Sequence, residues 1–143
     1  MRRFCLFLLA LLCLSGVSAV NTREFRINVW RMLPMTYPSR EVSYGYFLQV
    51  RNDSVQLYLP YMGVAYQAPY GGGDGLDFKR PITDFVEKSG KKGRQRISFR
   101  TSNQGFRYDI FIEFLPSGPA TIDVVPINAQ RISYDGDTVD LEP

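Results

Sequence analysis

The side chains able to do chemistry in this chain are carboxylates, lysines and tyrosines, because its 143 residues contain no histidine and only two cysteines, Cys5 and Cys13. Imidazole bases, Ser-His-Asp triads and Cys/His zinc sites are excluded. What remains open to such a chain is paired-carboxylate hydrolysis, in which two acids about 5 to 10 Å apart divide the acid and base or nucleophile roles. The candidate pairs are Asp74 with Asp77, and Asp109 with Glu113, which share strand parity. An exposed polar strand face explains the second pair equally well.

Tyrosine offers binding rather than catalysis. Seven of the nine tyrosines fall between Tyr37 and Tyr70, and each joins an apolar ring to a polar tip suited to sugars, peptides or amphipathic surfaces. Tyr44 and Tyr46 share the parity of Leu48 and are expected to point inward. Tyr61, Tyr66 and Tyr70 lie in an irregular stretch, Leu59 to Phe78, that also carries four glycines in five residues and the acids Asp74 and Asp77. Tyr61, Tyr66, Tyr70, Asp74 and Asp77 are therefore the candidate ligand contacts. Glycine lets a ligand approach the main chain closely. The glycine run lacks the Lys-Ser/Thr and helix of a phosphate-binding loop. Gly72 to Asp77 fits part of a calcium β-roll repeat, but once only, with Lys79 where an apolar residue is required. No cofactor or metal is assigned, and a turn or bulge accounts for the glycines.

The charges divide into a basic group, Lys88, Lys91, Lys92, Arg94 and Arg96 around a turn, and an acidic tail, Asp135, Asp137, Asp140 and Glu142. Two readings of the basic group stand: a solvated turn that discourages edge pairing, or a contact for anionic lipopolysaccharide or headgroups. The tail reads as solvated.

These groups need a scaffold, and its compartment is set by the first residues. Arg2 and Arg3, an apolar run from Phe4 to Leu14, and Val17-Ser18-Ala19 have the layout of a secretory signal, with cleavage between Ala19 and Val20. The run is too short to span a bilayer, and neither cysteine follows a small residue as lipid attachment requires. Removing residues 1–19 takes away both cysteines, Arg2 and Arg3, and lowers the formal charge from +3 to +1. No net positive field is left to attract nucleic acid. The expected product is a single domain over residues 20–143, exported to the periplasm, the outer membrane surface or the medium, with no anchor after processing.

Along that domain the dominant period is two. Phe25, Ile27 and Val29 alternate with polar residues, as do Tyr44 to Val50 and Val55 to Leu59. Asn52-Asp53 between the latter two predicts a hairpin. Ile82 to Lys88 and Arg96 to Thr101 flank a second turn, and Tyr108 to Phe114 and Ala120 to Val124 flank Pro116-Ser117-Gly118-Pro119. Arg131 to Tyr134 and Thr138 to Leu141 read as short final strands divided by Asp135-Gly136. The fold expected is an all-β antiparallel meander of about eight strands, a curved open barrel or a sandwich. No stretch between strands supplies a crossover helix for a parallel sheet.

Leu59-Pro60-Tyr61-Met62-Gly63, then Ala65-Tyr66-Gln67-Ala68-Pro69-Tyr70-Gly71-Gly72-Gly73, then Phe78 with Pro81-Ile82, followed by a closing pattern of Asn128, Arg131, Ile132, Ser133, Tyr134 and Gly136, resembles a family of small secreted domains of unknown function found in Bacteroidetes. Met62 departs from it, standing where an aromatic residue is usual. The resemblance implies export in a Gram-negative cell and brings no activity or catalytic residues. In that lineage Asp-Ser/Thr-aliphatic triplets are O-glycosylated, which makes Ser54 (in Asp53-Ser54-Val55) and Thr138 (in Asp137-Thr138-Val139) candidate acceptors.

The reading reached is an exported envelope protein that binds a ligand or protein partner without chemistry. Its rivals are a carboxylate-dependent, glycosidase-like hydrolase and a structural envelope component. Paired acids in a cleft would mark the hydrolase, a concave aromatic pocket without them the binder, and a packed molecule without a pocket the structural role.

Overall fold

The computed structural model of the chain describes residues 23–62 and 75–141. Ten antiparallel strands form one sheet that curls into a nearly closed barrel. In chain order they are β1 (Phe25–Pro34), β2 (Arg40–Glu41), β3 (Phe47–Arg51), β4 (Ser54–Leu59), β5 (Leu76–Pro81), β6 (Thr83–Ser89), β7 (Gln95–Asn103), β8 (Phe106–Phe114), β9 (Pro119–Pro126) and β10 (Ile132–Val139). Across the sheet they run β5-β4-β3-β1-β10-β9-β8-β7-β6, with β2 on the edge of β1. Among the described residues the one helical piece is a 3-10 turn at Lys91–Gly93.

Turn chemistry sets the hairpins. Asn52 and Asp53 both have positive φ, 54° and 62°, as a type I′ turn requires, and they fix Val50 opposite Val55. The predicted turns at Ser89 to Gly93 and Pro116 to Pro119 likewise join β6 to β7 and β8 to β9. The barrel nearly closes because β5 and β6 are two halves of one bent strand, separated only by Ile82. The first half pairs with β4 and the second with β7. At the bend Ile82 N–H donates to Asp53 O (2.8 Å), Thr101 Oγ1 to Pro81 O (3.0 Å) and Arg80 Nε to Ser102 O (3.0 Å).

Inward-facing residues fill the interior. Ile27, Leu48, Val55, Leu57, Ile110, Ile122 and Val124 are fully buried, and Phe25 meets Phe114 edge-on with ring centroids 4.9 Å apart. Each large apolar side chain so buried contributes about 1.5–3 kcal/mol against the entropy of ordering the chain.

Two expectations about the strands are corrected. Asp135-Gly136 does not divide two final strands: β10 runs through it, and Gly136 lies where β1 crosses so closely that a Cβ would stand 2.5 Å from Asn28 O. Glycine serves here for close backbone approach, not for a turn. Tyr44 does not point inward with Leu48; it is fully exposed, and Tyr46 is half-buried. Gly45, at φ 116°, breaks the strand, so the alternation starts at Phe47.

Candidate functional site

The outer face of β1 carries the most developed site, and a β-bulge makes it. Val29 pairs with Gly136 and Arg31 with Asp135, leaving Trp30 as the extra residue. Inward positions are accordingly Phe25, Ile27 and Val29 before the bulge but Met32 and Pro34 after it. A bulge re-aims a side chain, and here it turns the chain's single tryptophan outward, 44% exposed. Opposite, residues 42–46 arch along the same edge: Val42 N–H donates to Trp30 O and Tyr46 O accepts from Val29 N–H, both at 3.0 Å. Ser43, Tyr44 and Gly45 are the unpaired crown of that arch. Between bulge and arch lies a groove of about 390 Å3 bordered by Trp30, Tyr44, Tyr46, Asn28, Arg26 and Asp137, a size within the about 300–1,000 Å3 of small-molecule sites.

Polar groups along its floor are fixed in place. The Arg26 guanidinium stacks on Phe47, 4.0 Å from the ring centroid, and donates to Asn28 Oδ1 (3.1 Å) and Gln49 Oε1 (3.3 Å). Accepting from Arg26 turns the Asn28 amide so that its NH2 is the group left for a ligand. Asp137 is the groove's only acid. Behind the arch the Tyr46 ring stacks on Tyr58, centroids 5.1 Å apart, so the aromatic surface continues onto β4.

Of the residues singled out in the sequence, Tyr66, Tyr70 and Asp74 lie outside the described residues, as do Ala19 and Val20. Asp77 is exposed on β5, directly opposite Tyr58, and so borders the aromatic surface at its far side. Tyr61 is half-buried against the core with its hydroxyl donating to Gln130 O (2.7 Å). Close by, the fully buried Tyr134 donates to Pro60 O at 2.6 Å. Its phenol is held well above the usual tyrosine range by burial and then by neighbouring Tyr61. Asn128 is buried with neither amide atom hydrogen-bonded among the described residues. Ser54 is half-buried at the start of β4, whereas Thr138 Oγ1 is enclosed.

The acid pairs are kept apart. Asp109 and Glu113 are four residues apart on β8, about 13 Å by strand rise, beyond the separation a glycosidase pair uses. Each is engaged by arginines: Asp109 by Arg100 at 3.0 Å, Glu113 by Arg94 and Arg96 at 3.1 Å. Trp30, Asn28 and Asp137 are functional candidates that the sequence reading missed. The available signal was the off-period triplet of apolar residues Val29, Trp30 and Met32, together with a glycine inside a strand-like run at Gly45.

Fold and groove together define an all-β, barrel-like antiparallel domain with an aromatic groove on its outer wall. The chain belongs to the DUF4251 family, a domain of unknown function whose model matches residues 16–138. Its fold is similar to the crystal structure of a DUF4251 family protein from Bacteroides eggerthii DSM 20697, at 18% identity over 82% of this chain and 79% of that chain, with a TM-score of 0.64. No curated protein matches the chain. Among the described residues no helix is long and apolar enough to cross a membrane.

Proposed function

We propose that the protein is an exported, non-enzymatic binding module that holds a saccharide against Trp30. The observation that carries this reading is the bulge, which gives up regular pairing in β1 and places an indole in a concave site. An aromatic face packs against the C–H face of a sugar ring, and planar amides, a carboxylate and a guanidinium meet its hydroxyls with directional hydrogen bonds. Trp30 and Tyr44 supply the first, Asn28, Asp137 and Arg26 the second. One carboxylate in the groove leaves no partner for a glycosidase mechanism. The glycine-rich segment between β4 and β5 springs from Leu59 and Leu76, next to Tyr58 and Asp77, so Tyr66, Tyr70 and Asp74 belong to a chain that starts and ends beside this surface and extend the same contact in this reading.

Trp30 reports on its own site. Titration of the mature protein with oligomers of glucose, mannose and N-acetylglucosamine, followed by tryptophan emission and by calorimetry, is expected to show saturable binding with Kd on the order of 0.1–1 mM, or about −5 to −4 kcal/mol. Asn28→Ala and Tyr44→Ala, both at exposed or half-buried positions, are expected to weaken it at least tenfold. Absence of saturable heat and emission change with all three sugar series overturns the proposal.

A further inference from the structure

We propose that the tip of the β6–β7 hairpin is a docking surface for an anionic lipid bilayer. Lys91, Lys92, Arg94 and Arg96 line a cup of about 590 Å3 with Ser89 and Gly90, and no acidic side chain borders it. Lys88 stands directly opposite Arg96 in the ladder. Like charges in facing positions destabilise a sheet, and a local rule broken without a structural gain marks function. Glu113 compensates the two arginines alone. Lys88, Lys91 and Lys92 have no carboxylate within 4.0 Å among the described residues, and Glu87 lies on the opposite face of β6. Lys92 also adopts φ 60°, a conformation few non-glycine residues take. The tip itself is held by Gly90 N–H donating to Arg94 O at 2.7 Å.

Charge complementarity selects the occupant. Five cations against one acid match a surface of many phosphates better than a single ion, because exposed lysines hold an isolated anion weakly whereas each one near an anionic leaflet adds to the attraction. Beside the cup, on the outer face of the same strands, Val86 and Phe111 are 46% and 48% exposed along a groove of about 640 Å3 that also takes in Lys88 and Arg96. That places apolar side chains next to the charges, as an interfacial contact requires. The surface shares no lining residue with the Trp30 groove, so the two proposals stand or fall separately.

The test is sedimentation of the mature protein with vesicles of phosphatidylglycerol mixed into phosphatidylcholine, against vesicles of phosphatidylcholine alone. Binding to the anionic vesicles only is expected, falling as salt shortens the screening length. Each lysine contributes about fivefold to partitioning, so Lys88→Gln, Lys91→Gln and Lys92→Gln combined is expected to weaken it on the order of 100-fold. Circular dichroism shows that the variant, altered only at exposed positions, keeps its fold. Inorganic phosphate at matched ionic strength is expected to compete no better than chloride. Equal binding to both vesicle types, an unaffected triple variant, or specific competition by phosphate overturns the proposal, the last by making the cup a free-phosphate site.

Discussion

Tyr134→Phe removes one oxygen atom from the centre of the barrel and tests how the closing segment of the chain holds the β4 end. The Tyr134 hydroxyl donates to Pro60 O at 2.6 Å, and the residue is fully buried. Losing a neutral hydrogen bond costs about 0.5–1.5 kcal/mol, and leaving a desolvated carbonyl unpaired raises the cost toward 1–3 kcal/mol. The expected loss is about 2 kcal/mol at pH 7, or about 8 °C in Tm for a domain of this size. A second signature is alkaline. Burial, with Tyr61 beside it, raises the folded-state pKa of this phenol, so above pH about 10 the unfolded chain releases a proton that the folded chain keeps. Stability owed to the neutral phenol is complete below the unfolded pKa and is lost as pH rises toward the folded one, at up to about 1.4 kcal/mol per pH unit. The Phe variant lacks that loss. Urea unfolding of both proteins from pH 7 to 11 is therefore expected to show a gap of about 2 kcal/mol that narrows by about 1.4 kcal/mol at pH 11. A gap below about 0.5 kcal/mol at pH 7, or one constant up to pH 11, refutes the reasoning.

Gly136→Ala places a Cβ 2.5 Å from Asn28 O and 2.7 Å from Ile27 Cγ2, and backbone cannot yield as a flexible side chain does. It is expected to cost about 1–3 kcal/mol in urea unfolding; a loss within 0.5 kcal/mol of zero, the range of about ±0.5 kcal/mol for neutral surface changes, would show that β1 shifts freely. Of the two proposed O-glycosylation acceptors, only Ser54 is reachable in the folded protein, because Thr138 Oγ1 is enclosed. Intact mass of the exported protein is expected to show a sugar increment that Ser54→Ala removes and Thr138→Ala leaves; an unmodified wild type sinks the assignment for both. Asp77→Asn, at the far side of the aromatic surface, is expected to leave urea stability within about 0.5 kcal/mol of wild type, and a larger loss would make the residue structural.

Period-two alternation and turn residues made most of the barrel legible. Phe25, Leu48, Val55, Ile110 and Ile122 fall on the buried face as their alternation requires, and Asn52-Asp53 makes its hairpin. β5 escaped notice for a physical reason. It is half of the strand that ends the sheet, and Lys79, Arg80 and Pro81 give it the charge and the missing donor that keep such a strand from pairing with another chain. Those residues also erase the alternation by which a strand is recognised. β2, two residues long, has no period to detect.

The site was less legible because sites are built where the pattern fails. Tyr134 and Gly136, which carry the family resemblance, do scaffold work: one ties Pro60 to the barrel, the other lets β1 pass over β10. Motif residues of this kind draw attention to the frame. Trp30 and Tyr44 follow no motif, and their exposure comes from a one-residue slip in β1 and a glycine in the facing edge. Each slip alone would be a defect in a ladder, with pairing lost and an aromatic ring left in water. Two facing slips, meeting at Trp30 O and Tyr46 O through 3.0 Å hydrogen bonds, form instead a fixed concave surface with its polar groups already oriented. That coincidence, rather than any single residue, is why the groove outranks the acid pairs and the glycine run as the place where this domain meets its ligand.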